Sequence, residues 1–151
     1  MERVRKCTEK DVEQVYELIS ELEETMIDKS CFVEIYNDNL SNSFIHYYVY
    51  EMDNKVVGFI SLHIQKLLHH TASIGEIQEL IVQKATRSKG IGRVLFEKAK
   101  EVCCKNNCLQ MEVCCNQKRL ASHKFYESQG MTNNHFKFCL TLLQTSQNEY
   151  S

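Results

Sequence analysis

One stretch of the sequence, residues 75–92, restricts the fold of this chain more than any other. The segment that leads into it, residues 74–82, is apolar and β-prone, and it predicts a buried strand. A short polar connection, residues 83–89, precedes two glycines that stand one residue apart. Beyond this point the spacing of apolar residues becomes helical, at Ile91, Val94, Leu95, Ala99 and Val102. The stretch therefore predicts a strand that passes through a short loop into a helix.

The loop and the first helical turn carry positive charge and little side-chain bulk. They consist of Arg87, Ser88, Lys89, Gly90, Ile91, Gly92 and Arg93. The first turn of a helix has unpaired backbone N–H groups and a partial positive charge. Glycine at this place lets the backbone approach a ligand closely. We expect this segment, called the anion loop below, to bind an anion, and diphosphate is the obvious one.

The spacing of the glycines separates several phosphate-binding patterns. The nucleotide-hydrolase pattern GxxxxGK[ST] is absent, and the dinucleotide pattern GxGxxG lacks its third glycine. The pattern present is R-x-x-G-x-G between an apolar strand and an amphipathic helix. It resembles the acetyl-coenzyme-A diphosphate loop of the GNAT acetyltransferase superfamily. The resemblance implies that the anion loop binds acetyl-CoA, together with Leu80, Ile81 and Val82 on the strand before it.

Hydrophobic periodicity gives the order β-α-α-β-β-β-α-β-α-β, which matches the GNAT fold. We expect an α/β (α+β) fold with a mixed, twisted sheet of about six to seven strands and four helices. A single domain is expected at residues 1–145, with a flexible tail at 146–151. The strands are expected at 3–7, 44–52, 55–64, 74–82, 109–115 and 135–143. Local signals are helix caps at Thr8 and Ser30, a hairpin turn at Asp53-Asn54 and a helix stop at Gly130.

Composition and charge exclude several classes of protein. A net charge of −2 leaves no broad basic face, so we expect no nucleic-acid partner. No run of about 18 apolar residues is present, so no segment is expected to span a membrane. The N-terminus lacks the apolar core of a signal peptide, and the expected location is cytoplasmic. The eight cysteines contain no C-x-x-C pair, so we expect small buried thiols without disulfides or zinc. The sequence leaves open whether the chain forms a homodimer.

Acetyl transfer to an amine requires a base for the ammonium, stabilisation of the oxyanion and an acid for the departing thiolate. Strand parity places Glu76 and Gln78 on one face of the central strand and Glu79 on the other. Glu76 stands eleven residues before Arg87, where many GNAT enzymes place their base by resemblance. The resemblance also implies that Gln78 and Glu79 contact the substrate, and Glu79 or ordered water is the alternative base. A bulge, which the family often has in this strand, would change the parity.

A second group of candidate residues follows the fifth predicted strand. The segment SHKFYE at 122–127 resembles the family segment A-H-x-F-Y-E, whose tyrosine is the usual general acid. The resemblance assigns this role to Tyr126, for which simple core packing is the alternative. It also implies that Asn116 and Ser122 contact the coenzyme. The backbone N–H of Ile81 or Val82 is expected to polarise the thioester carbonyl.

Several segments between residues 62 and 138 closely resemble the aminoalkylphosphonate N-acetyltransferases. This implies a small-molecule amine as acceptor, with an aminoalkylphosphonate as the first candidate. Lys118, Arg119 and His123 are then expected to contact the anion, since a phosphonate suits a guanidinium fork. His69 and His70 are candidate ligands of a divalent metal, with Glu76 as partner. The alternatives are a polyamine, an aminoglycoside or a protein amine as acceptor, and a non-catalytic domain that senses acetyl-CoA.

Overall fold

A computed structural model of the chain describes residues 2–23 and 27–143. The chain divides into two compact units, residues 1–113 and residues 114–151. Among the described residues the first unit holds a sheet and three α-helices, and the second holds one α-helix. The predicted tail after residue 145 lies outside the described residues. None of the helices in the described ranges is long and apolar enough to cross a membrane.

A five-stranded sheet forms the centre of the first unit, and its strands lie in chain order from β1 to β5. They are β1 Glu2–Lys6, β2 Ile45–Met52, β3 Lys55–Leu67, β4 Ala72–Val82 and β5 Cys108–Val113. The α-helices of this unit are α1 Val12–Glu23, α2 Lys29–Leu40 and α3 Ile91–Lys105. Neighbouring strands are antiparallel except β4 and β5, which are parallel because α3 connects them. The predicted order of elements is confirmed as far as β5.

The second unit contains α4, Leu120–Ser128, and the chain turns directly after it. Gly130 has a φ of +92°, the left-handed conformation that stops a helix, as predicted. The final strand predicted at residues 135–143 is not a strand in the described part of the unit, so the sheet has fewer strands than expected. The alternating pattern is present there, but a strand also requires a hydrogen-bonded neighbour.

A capping box fixes the start of the first helical segment, as predicted. The Thr8 side chain accepts a hydrogen bond from the backbone N–H of Lys10, and Asp11 accepts one from the N–H of Thr8 at 2.8 Å. The same carboxylate binds the Arg5 guanidinium through two hydrogen bonds of 2.8 and 2.9 Å. A short 3-10 turn, Glu9–Asp11, therefore leads into α1.

The cap of α2 is Asp28 rather than the predicted Ser30. Asp28 Oδ1 accepts hydrogen bonds from the backbone N–H of Cys31 at 3.0 Å and from the Ser30 hydroxyl at 2.9 Å. A carboxylate caps a helix as well as a hydroxyl does, and Asp28 comes earlier in the chain. The helix consequently begins at Lys29, and Ser30 lies within its first turn.

The hairpin between β2 and β3 turns at Asp53 and Asn54, as predicted. Both residues are left-handed, with φ of +50° and +66°, which is the backbone of a tight type I′ turn. The connection between the strands predicted at residues 55–64 and 74–82 is shorter than expected. Pairing between β3 and β4 continues to Leu67 and Ala72, so only a 3-10 turn at Leu68–His70 and Thr71 connect the two strands.

Helices cover both faces of the sheet. On one, called the α1 face below, Tyr47 of β2 packs between Tyr36 of α2 and Phe59 of β3. Its ring centroid lies 5.5 Å from that of Tyr36 and 5.3 Å from that of Phe59. Edge and tilted ring contacts of this kind stabilise the packing beyond the contribution of the buried apolar area.

On the opposite face, called the α3 face, the helix lies so close that two strand positions are glycine. A Cβ on Gly58 would lie 2.9 Å from Leu95 Cδ1, and one on Gly75 would overlap the Cys103 sulfur. Cys103 is buried, as predicted for the cysteines. The prediction is wrong for four others, which are exposed: Cys31, Cys104, Cys114 and Cys139. Cys104, for example, is rotated by about 100° from Cys103 around the helix and so leaves the sheet.

Candidate functional site

The anion loop has the geometry that an anion site requires. α3 begins at Ile91 directly after Gly90, which has a φ of +81° and gives the first helical turn no side-chain cap. The first-turn N–H groups therefore point out of the helix end without a capping side chain. A Cβ on Gly90 would meet no atom within 4 Å, so the space beside the backbone is open. Ser88, with a φ of +68°, turns the chain toward this helix end.

Arg87 holds the anion loop against the end of β4. Its Nε donates a hydrogen bond to the carbonyl oxygen of Val82 at 3.0 Å. A 3-10 turn, Lys84–Thr86, fills the connection. Arg87, Lys89 and Arg93 are all exposed, so the charges surround the helix start in contact with solvent. The rest of the Arg87 guanidinium carries further N–H donors that a phosphate oxygen can accept.

A bulge interrupts the pairing of β4 with β3. Ile77 is opposite Leu62, while Glu79 is opposite Ser61, the residue next to Leu62. Gln78 is therefore an extra residue in β4 with no opposite partner in β3, which is the definition of a β-bulge. The structure thus has the strand irregularity expected from the family resemblance.

The bulge brings Glu76 and Glu79 to the same face of the sheet. Glu76 is opposite His63 and Glu79 is opposite Ser61, and these two β3 residues are two positions apart. Both glutamates consequently point to the α1 face, and the prediction from simple parity that Glu79 points the other way is wrong. Gln78 lies beside them, and its Nε2 donates a hydrogen bond to Glu76 Oε1 at 2.9 Å.

Ser61 fixes the position of Glu79. It is 0% exposed, its Oγ accepts the backbone N–H of Glu79 at 2.9 Å, and its hydroxyl donates to the Glu79 carboxylate. Tyr47 lies opposite Ser61 on β2, so all three side chains form one row across three strands. Burial raises the pKa of Tyr47, and the negative charge of Glu79 adds to the rise.

A second polar row runs through Glu76. His63 of β3 and Glu112 of β5 are its opposite residues on the two neighbouring strands. Gln110 Nε2 donates a hydrogen bond to Glu112 Oε2 at 2.5 Å, and His70 Nε2 lies 3.9 Å from the same oxygen. The α1 face therefore carries two adjacent rows of polar and acidic groups where it is not filled by apolar core.

Four residues of these rows were not among the candidates from the sequence: Tyr47, Ser61, His63 and Glu112. A weak signal existed for two of them, because polar Ser61 and His63 alternate with apolar Leu62 and Ile64 in a strand. Their proximity to Glu76 and Glu79 depends on strand register, which a single sequence does not specify.

The arrangement of His69 and His70 does not fit a metal site. Their ring centroids are 4.2 Å apart on the turn between β3 and β4. Within the ranges that the structure describes, no group of three or more His, Cys, Asp or Glu side chains could hold a metal ion. Adjacent imidazoles without such a group give too few ligands for the proposed divalent ion. We therefore assign no step to a metal.

The pairing of β4 with β5 stops before the end of β4, because β5 ends at Val113. β5 pairs with β4 from Ser73 to Ile77 and not beyond, whereas β3 pairs with β4 as far as Val82. From residue 78 onward β4 thus has a strand neighbour on one side only, among the described residues. Leu80, Ile81 and Val82 lie in this part, and alternate backbone groups there face the side without a strand.

In the second unit, hydrogen bonds shape the start of α4. Asn116 Oδ1 accepts from the backbone N–H of Lys118 at 2.9 Å, and the His123 Nε2 lies 2.8 Å from the Asn116 carbonyl oxygen. His123 is therefore engaged in closing this turn. Arg119, at the cap position of α4, supplies no side-chain cap, and Lys118 is exposed.

Tyr126 lies on α4 among groups that influence its hydroxyl. Burial raises the pKa of Tyr126 to about 12, and Cys115 adds to the rise while Arg119 opposes it. Burial also raises the pKa of the Cys115 thiol, which Arg119 and Ser122 partly offset. The Tyr126 hydroxyl is therefore protonated at neutral pH and can act as a hydrogen-bond donor.

Comparison with known proteins identifies the family. The family described as Acetyltransferase (GNAT) matches residues 12–131. The aminoalkylphosphonate N-acetyltransferase of Salmonella typhimurium is 37% identical over 139 residues, which cover 92% of this chain and 90% of that protein. Glucosamine 6-phosphate N-acetyltransferase 1 of Dictyostelium discoideum is 25% identical over 115 residues, which cover 74% and 71% of the two chains.

Solved structures agree on the fold. A crystal structure described as a transcriptional regulator from Bacillus halodurans superposes with a TM-score of 0.87 at 19% identity, and covers 94% of this chain and 100% of that one. At this identity the likeness concerns the fold alone. The family match over most of the sequence and the 37% identity to a named enzyme are the stronger findings. They show that the chain is an N-acetyltransferase of the GNAT family.

Proposed function

We propose that the chain transfers an acetyl group from acetyl-CoA to the primary amine of a small molecule, with an aminoalkylphosphonate as the first candidate. GNAT acetyltransferases use acetyl-CoA as co-substrate. The choice of an aminoalkylphosphonate as acceptor is supported by the 37% identity to a relative named aminoalkylphosphonate N-acetyltransferase. In the proposed reaction the amine nitrogen attacks the thioester carbon, the carbon–sulfur bond breaks, and no acyl-enzyme forms.

The anion loop is the proposed site for the coenzyme diphosphate. Open space beside Gly90 lets a phosphate reach the uncapped N–H groups of α3. Arg87, Lys89 and Arg93 supply positive charge around it, and Arg87 is already oriented by its bond to Val82. Charge-assisted hydrogen bonds to phosphate are stronger than neutral ones, so these groups account for binding. Asn116 and Ser122 are proposed as further coenzyme contacts on the basis of the family resemblance.

Glu76 is the proposed base. An alkylammonium with a pKa near 10.4 is only about 0.04% neutral at pH 7, so a group that removes its proton raises the concentration of the nucleophile. The Gln78 amide holds one carboxylate oxygen of Glu76 in place. Glu79, fixed by Ser61 on the same face, adds a second negative charge that attracts an ammonium group. The backbone N–H of Ile81 or Val82 is proposed to stabilise the oxyanion.

Tyr126 is the proposed acid. Its hydroxyl is protonated at neutral pH because burial raises its pKa to about 12. A thiolate that leaves the tetrahedral intermediate gains a proton to become the free thiol of CoA, and a phenol can donate it. The proton that the amine loses balances the one that the thiolate takes up, so the reaction as a whole needs no other reagent.

We assign the binding of the acceptor's phosphonate group to residues at the start of α4. Both curated relatives carry names of molecules that combine an amine with a phosphonate or a phosphate. Lys118 is exposed and Arg119 stands at the uncapped first turn of α4, so both can contact an oxyanion. His123 has one ring nitrogen bound to Asn116, and we assign it a positioning role beside this anion.

A matched panel of acceptors tests this proposal. Release of free thiol from acetyl-CoA is followed with an aminoalkylphosphonate, with the same alkylamine lacking the phosphonate, and with a diamine of equal length. Charged hydrogen bonds of about 1.5–3 kcal/mol predict a kcat/KM at least roughly tenfold higher for the phosphonate than for the plain amine. Arg119→Lys keeps the charge but loses the planar fork, so it should raise the KM for the phosphonate only.

Two other results of the acceptor panel would change the proposed acceptor. If the diamine is the best acceptor, the acidic rows around Glu76 and Glu79 determine specificity, and a polyamine replaces the phosphonate. If the plain amine equals the phosphonate, the acceptor does not use Lys118 or Arg119. In either case the acetyltransferase activity stands and the proposed acceptor falls.

A further inference from the structure

A cavity of about 440 Å³ lies on the α3 face of the sheet, between strands β1 and β2 and the second half of α3. Its lining residues belong to these three elements and to Asn106, which follows α3 directly. Ligand pockets in proteins have volumes of about 300–1,000 Å³, so this one has room for a small organic molecule. It is called the β1–α3 cavity below. The anion loop lies at the other end of α3, before Ile91.

Ammonium groups from two elements line the β1–α3 cavity. Lys6 comes from β1, and Lys98 and Lys105 come from α3, where they are two turns apart and so share one side of the helix. No carboxylate of the described residues belongs to the lining. Arg5 also borders the cavity, but its guanidinium already binds two carboxylates. Lysines that surround a concave site without a carboxylate attract an anion.

Glu101 compensates part of this charge from outside the cavity. Its Oε1 lies 2.9 Å from Lys105 Nζ and 3.5 Å from Lys98 Nζ. Lys6 takes part in none of the ion pairs that the described residues form. Three ammonium groups and one carboxylate leave a charge of about +2, and a phosphate monoester carries about −1.5 to −2 at pH 7. The cavity and such an anion therefore match in charge.

His46 of β2 also lines the cavity, and it has a buried nitrogen without a partner. Its Nε2 makes no hydrogen bond to any atom of the described residues. Burial lowers the pKa of His46, and the charge of Lys6 adds to the lowering, so the ring is neutral at neutral pH. A neutral imidazole can carry its proton on Nε2 and donate it to an oxygen. Rotation about χ2, which is a broad torsion, can bring Nε2 to the cavity surface, where a ligand oxygen would satisfy it.

The floor of the cavity is apolar. Tyr48 and Val102 line it and are 7 and 6% exposed. Lys98 Nζ lies 5.3 Å from the centroid of the Tyr48 ring, a cation–π contact that holds this ammonium group above the ring. An apolar or aromatic group of a ligand can therefore be buried against this floor while its anionic end reaches the lysines.

We propose that the β1–α3 cavity binds a small organic phosphate monoester, whose phosphate contacts the three lysines and whose apolar group lies against Tyr48. The three terminal oxygens of such a phosphate give one acceptor for each ammonium group, whereas a carboxylate has only two oxygens. His46 Nε2 donates a further hydrogen bond to the same phosphate. This site is distinct from the proposed acetyl-transfer site, because the acidic rows lie on the α1 face and the anion loop precedes α3.

Titration calorimetry with phenyl phosphate tests the proposal, with benzoate as the matched carboxylate. The full chain is first saturated with CoA, so that the anion loop is occupied. Phenyl phosphate should bind at least roughly tenfold more tightly than benzoate, as one additional charged hydrogen bond would give. Lys6→Gln removes one ammonium group from the cavity and should weaken the binding of phenyl phosphate roughly tenfold. Lys55→Gln removes the same charge from an exposed position outside the cavity and should leave the affinity unchanged.

NMR spectroscopy of the histidine ring nitrogens then shows where the probe binds. The His46 Nε2 signal, assigned by its absence in His46→Gln, should shift when phenyl phosphate is added to the wild type, and shift less in Lys6→Gln at the same concentration. An unshifted signal overturns the proposal, as does the absence of saturable binding at millimolar phenyl phosphate.

Three further results of the calorimetry would also overturn the proposal. Benzoate that binds as tightly as phenyl phosphate would show that the cavity does not select a phosphate. A Lys55→Gln variant that loses as much affinity as Lys6→Gln would show only a general attraction of charge. Arg87→Gln changes the anion loop and should leave the affinity for phenyl phosphate unchanged, whether or not CoA binds there. A loss of affinity in this variant would place the probe at the anion loop.

Discussion

Replacing Gly58 with alanine tests how the sheet positions the anion loop. Gly58 on β3 faces α3, and an added Cβ would lie 2.9 Å from Leu95 Cδ1 and 3.1 Å from Ile91 Cγ2. Carbon atoms in contact are normally about 3.5–4.0 Å apart, so both side chains would have to move. Neither has room, because Leu95 is 0% and Ile91 3% exposed. We expect a cost of about 1–3 kcal/mol from overpacking, partly offset by the roughly 0.5–1 kcal/mol that alanine gains over glycine.

Thermal unfolding measures this cost. At about 2–4 °C per kcal/mol for a chain of this size, the midpoint of Gly58→Ala should fall by several degrees. Leu95→Ala alone leaves a cavity, but in the double variant the new methyl group fills part of it. The losses in unfolding free energy of the two single variants should therefore add up to about 1 kcal/mol more than the loss measured for the double variant. Because Ile91 begins α3, the affinity for acetyl-CoA should fall as well. An unchanged midpoint, or strict additivity with Leu95→Ala, would contradict the packing between β3 and α3.

Three further predictions concern single residues. Gly90→Asp should abolish acetyl-CoA binding in a folded chain, because it adds bulk and negative charge at the anion loop; calorimetry that shows unchanged affinity would contradict this. Tyr126→Phe keeps the ring and should lower kcat roughly 10²-fold with coenzyme affinity unchanged, which steady-state kinetics can check. Burial alone would raise the pKa of Asp11, but Arg5 and Thr8 outweigh it and lower the pKa. The stability from this ion pair is thus present near neutral pH and lost as pH falls through the lowered pKa. In denaturant unfolding, the deficit of Asp11→Asn, about 3 kcal/mol near neutral pH, should shrink on acidification.

Local signals in the sequence were sufficient for most elements of the first unit. The capping box of Thr8 and Asp11, the Asp53-Asn54 turn and the glycine before α3 each depend on residues that are close in the chain. The interactions that form these features join residues only a few positions apart, so they can be predicted from a single sequence. The same applies to the order of strands and helices, which follows from periodicity.

Features that depend on pairing between distant segments could not be predicted from periodicity and spacing alone, and only the family resemblance indicated that β4 could contain a bulge. The bulge at Gln78 arises from the register of β3 against β4, and it alone decides that Glu79 shares a face with Glu76. His63 joins Glu76 for the same reason. Residues 135–143 have the alternation of a strand, but alternation gives a preference and does not provide a neighbouring edge.

A pH–rate comparison of the wild type with Glu76→Gln tests the central claim most directly. Glutamine keeps the shape and removes the basicity, and Glu112→Gln, directly opposite on β5, removes the same charge as a control. Near pH 7 we predict a loss of roughly 10²-fold or more for Glu76→Gln with a primary amine as acceptor. The deficit should shrink toward about pH 10, as the neutral fraction of the free amine grows, and that of Glu112→Gln should be smaller and independent of pH. A Glu76→Gln deficit that stays constant from about pH 6 to about pH 10 would contradict the role of Glu76 as base.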